Sequence, residues 1–216
     1  MFDVFKLKEE NFIYTDKPFV NSKLTYVCDI NDFRYYDSCG DSFELNFIIE
    51  KILKTIENLS IKKEIPKLIS LRKKGDKIIT YNREFINRKE VVSLLEKYDF
   101  IDYDATSNFV EKVNIFMKAK IVVVENGAGI ANLLFCPAET IVIILQSEHR
   151  VKVRDESLNI SGYPKYNNIC KKFKNLYVVS TSNKNNDILP HPEFGRSAVP
   201  CRANLEKLEK ILSIIF

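Results

Sequence analysis

The run Ile121-Val-Val-Val-Glu-Asn-Gly-Ala-Gly-Ile-Ala-Asn-Leu-Leu-Phe135 constrains this chain more than any other stretch. Ile121 to Val124 form an unbroken β-branched apolar run, the pattern of a buried strand. Glu125-Asn-Gly-Ala-Gly129 ends it, and apolar helix formers resume behind the glycines. In an α/β protein a strand, a glycine turn and a helix start in that order sit at the carboxyl end of the strand, where ligands bind. Gly127 and Gly129 permit close approach to the backbone, and the first N–H groups of the helix face any phosphate placed there. The same glycines also serve the steric needs of a tight connection, and one Gly-x-Gly is less than the full dinucleotide fingerprint.

Around this centre, strands and helices alternate. Lys67 to Leu71 reads as a strand, with Ile78 to Tyr81 extending into a further turn. Asn87-Arg-Lys-Glu90 has capping-box spacing and opens a helix that buries Val91, Leu94, Leu95 and Tyr98. Phe100 to Tyr103 is a strand, and Ser107 starts a helix carrying Val110, Val113, Phe116 and Met117. Thr140 to Leu145 and Leu176 to Val179 are strands, Tyr163 to Phe173 a helix, and Asn204 to Ile215 a closing amphipathic helix. This order predicts an α/β fold, a Rossmann-like parallel sheet with helices on both faces, over residues 63–216. Residues 1–62 read as a lead-in segment with one amphipathic helix. That helix starts at the capping box Asp41-Ser-Phe-Glu44 and puts Phe43, Phe47, Ile48, Ile52 and Ile56 on one face.

Composition narrows the functional classes. With 216 residues, 45% hydrophobic and 29% charged, the chain can bury a real core. A net charge of +4 is scattered among acids, which argues against nucleic acid as a partner. No apolar run approaches the ~20 residues of a transmembrane helix, and Met1 to Glu10 lacks the pattern of a signal peptide. The expected location is cytoplasmic, with a peripheral position at the inner membrane face as the alternative. Five widely spaced cysteines and two histidines, without a Cys-x-x-Cys, read as reduced structural thiols rather than a zinc site.

Several polar residues stand where the expected strands end. Arg72, Lys73 and Lys74 follow the first strand, on the same rim as the glycine turn, and Arg83 precedes the next helix. Guanidinium forks suit phosphate oxygens, although a solvated basic loop has the same composition. Asp102 and Asp104 follow the next strand as candidate acids or ribose contacts, and Glu111 lies on the helix after it. Surface carboxylates look the same in sequence. His191, in a Pro-His-Pro loop, has no partner that sequence can name.

The order of these features resembles the C-terminal half of the family 61 glycosyltransferases, which include bacterial capsular polysaccharide enzymes. The residues that carry the resemblance are a strand ending at Arg72, then Arg83-x-x-Ile-Asn87-x-x-Glu90-Val, Leu95-x-x-Tyr98-x-Phe100, Ser107-x-x-x-Glu111 and the strand of Ile121 to Val124. Gly127-Ala-Gly-x-x-Asn132-Leu-Leu-Phe135 completes the series. The resemblance covers Lys67 to Leu145, and more loosely Tyr163 to Val179 and the closing helix. It implies the C-terminal domain of a GT-B glycosyltransferase, which takes a nucleotide-sugar donor as substrate, transfers its sugar to a hydroxyl of a glycan acceptor, and needs no cofactor. Donor contacts would be Arg72, Arg83, Asn126, Gly127, Ala128, Gly129 and Asn132, with Glu111 and Asp104 as catalytic candidates. Asn126 stands at the family's His position, and Ile144 where a Glu usually ends the next strand. About 60 residues of lead-in leave no room for the family's acceptor domain, so either the chain is a fragment, or a partner protein with an N-terminal acceptor domain or a homo-oligomer completes it, or it no longer catalyses transfer. A catalytically inactive nucleotide-sugar-binding remnant, or a subunit of a split enzyme, is the alternative.

Overall fold

Runs of valine, isoleucine and leucine form the centre of one sheet, and the helices cover both of its faces. The computed structural model describes residues 43–59, 63–71, 85–103, 108–147, 169–182 and 202–216. Within them lie strands β1 (Lys67–Ser70), β2 (Ile101–Asp102), β3 (Ile121–Glu125), β4 (Ile141–Ser147), β5 (Leu176–Ser182) and β6 (Arg202–Ala203). They are ordered β2-β1-β3-β4-β5-β6. The first five run parallel, and β6 adds antiparallel to β5. In register, Ser70 lies beside Val124, Val124 beside Ile144, and Glu125 beside Leu145.

Strand alternation splits the core into two layers. On one face Leu68, Val122, Val124 and Ile144 pack with Phe116 of α3 (Phe109–Lys118) and with Ile130 and Leu133 of a 3-10 helix (Ala128–Phe135). On the other, Ile69, Val123, Ile143 and Leu145 pack with Leu95 of α2 (Arg88–Glu96) and Leu208 and Leu212 of α4 (Leu205–Ile215). Each such side chain is fully buried and contributes roughly 1.5–3 kcal/mol. The helix α1 (Phe43–Glu57) forms an outer layer, with Ile52 and Ile56 packed on Val113 of α3. The side chains of Phe43, Phe47 and Ile48, with Asp41 and Ser107, lie outside the described residues, as do residues 78–81 and most of the expected helix from Tyr163. Its last turn, at 169–171, is helical, and Ile169, Cys170 and Phe173 are buried.

Two expectations are corrected. Asn87 opens α2 without capping it with its side chain. Its Nδ2 donates to the Ala203 carbonyl (3.0 Å) and its Oδ1 accepts from the Ala203 N–H (2.9 Å), so the amide stands beside β6 as a further strand would. Glu90, expected to complete the capping box, lies 3.4 Å from Arg202. Just before α4, where the sequence assigns no element, lies β6, whose two residues are too few to show a sequence period. Behind Gly127 the chain winds as a 3-10 helix, with the Ile130 N–H donating to the Gly127 carbonyl (3.1 Å). Two glycines at its start weaken any preference for the α form. Three residues per turn then stack Ile130 and Leu133 on one buried edge.

Candidate active site

Between β1 and β3 the chain reverses its winding. After β1 the chain continues into α2 on one face, whereas after β3 it continues into the 3-10 helix on the other. β1 and β3 are neighbours, so their carboxyl ends form the topological switch point at which open α/β sheets bind ligands.

Gly127 makes the turn at this point. Its φ of 156° and ψ of −155° lie in a region that essentially only glycine occupies. Gly129 has no such constraint. A Cβ placed on it would meet Val124 Cγ2 at 3.5 Å, an ordinary contact, which shows that the first helical turn rests directly on the strand. The opening N–H groups of the helix precede its first internal hydrogen bond. Asn126 extends the β3–β4 ladder by one step, its N–H donating to the Leu145 carbonyl (2.9 Å). Asn132 follows Gly129 by one 3-10 turn, on the edge away from Ile130 and Leu133, and is half-buried. Asn126, Gly127, Ala128, Gly129 and Asn132 thus share one end of the sheet. Arg72, Arg83 and Asp104 lie outside the described residues.

The acidic candidates within reach of description are engaged. Lys63 Nζ donates to Glu111 Oε1 and sits 5.7 Å from the centre of the Tyr103 ring. That hydrogen bond holds the Lys63 amine above its ordinary value, against the smaller opposing effect of burial. Asp102 accepts from Arg88 Nη2 on both carboxylate oxygens at 2.8 Å, which ties edge strand β2 to α2. Among the described residues no group of three or more His, Cys, Asp or Glu is placed to hold a metal ion. Likewise, none of the described helices is long and apolar enough to cross a membrane.

Two polar residues that sequence reading passed over stand on this rim. Ser70 is buried at the end of β1, level with Val124, and Gln146 is buried near the end of β4. β4 runs on to Ser147, so Ile144, expected at the strand's end, is fully buried within it. The available signal was a Gln directly after five apolar residues. Away from the rim, burial pushes the thiols of Cys136 and Cys170 up to about 12. Lys172 donates to the Leu134 carbonyl (2.9 Å) near the end of the 3-10 helix, and burial holds its amine below the ordinary value.

The Glycosyltransferase 61 family model matches residues 20–143, more than half of the chain. The chain belongs to the glycosyltransferase 61 family. The match takes in α1, β1, α2, β2, α3, β3 and the 3-10 helix, and ends inside β4. It therefore begins well before Lys67, where the resemblance was densest, and the rim up to Asn132 lies within it. Among curated proteins no relative matches the chain.

Proposed function

We propose that this glycosyltransferase-family chain binds a nucleotide-sugar donor at the β1–β3 rim, as the Rossmann-like C-terminal half of a GT-B enzyme. The diphosphate rests against the first turn of the 3-10 helix at Gly127, Ala128 and Gly129, beside Asn126 and Asn132. Arg72 and Arg83 supply the cations that stabilise the departing diphosphate as the sugar passes to a hydroxyl of a glycan acceptor in surface polysaccharide synthesis. The observation that carries this reading is the switch point itself, where a glycine-only backbone conformation opens a helix whose first N–H groups suit an anion. Family membership supports the reaction class.

Asp104 and Glu111 are the carboxylates assigned as candidate bases for the acceptor hydroxyl. Glu111 would have to exchange Lys63 for the acceptor before it acted. That ion pair, with an Asn at position 126 that cannot transfer a proton near neutral pH, favours a second reading, a donor-binding subunit completed by a separate acceptor domain or a second copy.

The test is calorimetric titration of the purified chain with UDP, GDP, CMP and their common sugar conjugates. Saturable binding of one nucleotide, weakened by Arg72→Ala with the fold intact, is the expected result. Absence of binding to all of them would overturn the donor site.

A further inference from the structure

Gln146 is 1% exposed, and among the described residues its Oε1 has no hydrogen-bond partner. Buried polar atoms are nearly always partnered, and leaving one unpaired is costly, so an orphaned acceptor calls for an explanation. Its position gives one. Gln146 follows Leu145, which pairs with Glu125 of β3 and accepts the Asn126 N–H. Strand alternation puts it on the face of Ile144 and Val124, and Val124 is the residue on which the first turn of the 3-10 helix rests. The buried amide therefore sits one strand, roughly 5 Å, to the side of the helix N-terminus. Glu125, Asn126, Gly127 and Gly129 beside it are only partly buried, which leaves an approach over the rim.

The chemistry of the atom selects the ligand group. Oε1 accepts and needs a donor. Diphosphate oxygens at neutral pH also only accept, so the phosphate at the helix N-terminus does not satisfy it. The groups one strand away from that phosphate are those of the sugar rings attached to it, which carry hydroxyls. We infer that Gln146 accepts a hydrogen bond from a sugar hydroxyl of the bound donor and so makes the site selective for ligands that carry it. This rests on the donor-site reading above. The hydroxyl comes either from the ribose or from the transferred sugar.

Gln146→Met tests it, because Met keeps the length of the side chain and removes the polar atoms. Wild type and variant are titrated with UDP, GDP, their 2′- and 3′-deoxy forms, UDP-glucose and GDP-mannose, and both are melted without ligand. Wild type should bind its preferred hydroxyl-bearing ligand about 3- to 10-fold more tightly than the form lacking that hydroxyl, and Gln146→Met should lose this preference and a similar factor in affinity. Discrimination between a nucleoside diphosphate and its deoxy form assigns the ribose. Discrimination that appears only with the sugar conjugate assigns the transferred sugar. The unliganded variant should melt at or above the wild-type temperature, since it no longer buries an unpaired acceptor. A variant that melts several degrees lower, or binds every ligand with wild-type affinity, overturns the inference while the donor site stands. A wild type that binds no nucleotide overturns the donor site and this inference with it.

Discussion

Replacing Asn87 with Ala separates two roles that the same residue can play at the start of α2. As a helix cap, an Asn lost to Ala costs about 1 kcal/mol. Here the side chain makes no cap bond. It holds both the N–H and the carbonyl of Ala203, 116 residues away, at 2.9 and 3.0 Å, and both residues are 2% exposed. Truncation leaves a buried donor and a buried acceptor on the same residue, each costing about 1–3 kcal/mol, so the loss should be about 3 kcal/mol. For a chain of this size each kcal/mol lowers the melting temperature by about 2–4 °C, which predicts a fall of about 6–12 °C. Urea unfolding gives the free energy directly. Hydrogen exchange at the Ala203 amide should accelerate at the same time, because its acceptor is gone. Glu90→Gln is the control. Its pair with Arg202 is half exposed on both sides at 3.4 Å, and its removal should cost no more than about 0.5 kcal/mol. A loss near 1 kcal/mol in Asn87→Ala, with Ala203 exchange unchanged, would return Asn87 to the role of a cap.

Gly127→Ala should destabilise by roughly 1–3 kcal/mol in urea unfolding, since its φ and ψ are glycine-only, whereas Gly129→Ala should fall within about 1 kcal/mol of wild type because its Cβ meets only Val124 at 3.5 Å. Equal costs at the two positions would refute this division. Cys136 and Cys170, with thiols pushed up to about 12, should resist alkylation at pH 8 in the native state and react on unfolding, read by mass spectrometry. The Lys63 amine is raised by its bond to Glu111, so the folded state binds that proton more tightly than the unfolded state. The resulting stabilisation is complete below the ordinary lysine value of 10.5 and is lost as pH rises through the higher folded value. The difference in melting temperature between wild type and Glu111→Gln should therefore hold steady from neutral pH and shrink above that value.

The central strands were legible because burial on both faces leaves no room for polar residues. Ile121 to Val124 and Ile141 to Leu145 are unbroken apolar runs, and the parallel sheet follows from their alternation with helices. Asn87 misled because Asn-x-x-Glu is the signature of a capping box whether or not the amide turns back to its own helix, and the partner that won is 116 residues away. No local signal reports such a contact. β6 was invisible for the same reason, being a two-residue strand held by β5 and by the Asn87 side chain, both distant in sequence. The glycine turn was read correctly as a turn but not as the start of a 3-10 helix, since Ile130, Leu133 and Leu134 satisfy either winding. Gln146 was missed because a single polar residue at the end of an apolar run reads as the end of the strand, whereas β4 continues past it to Ser147.

The helix before β1 bears on the rim more closely than its place in the sequence implies. Phe135, the last residue of the 3-10 helix, packs against the cluster of Ile52, Ile56 and Val113 and meets the Phe109 ring edge-on at 6.0 Å. One turn further back, Ile130 and Leu133 sit on β3 and β4. The 3-10 helix is thus clamped between the sheet and the α1–α3 layer, and Lys172 holds the Leu134 carbonyl near its far end. A 3-10 helix of eight residues is unusually long for a form with poor hydrogen-bond geometry, and packing on both sides supplies what its own bonds do not. If Gly127 opens an anion site, the helix that carries it is held at its far end by the α1–α3 layer and along its length by the strands it packs on.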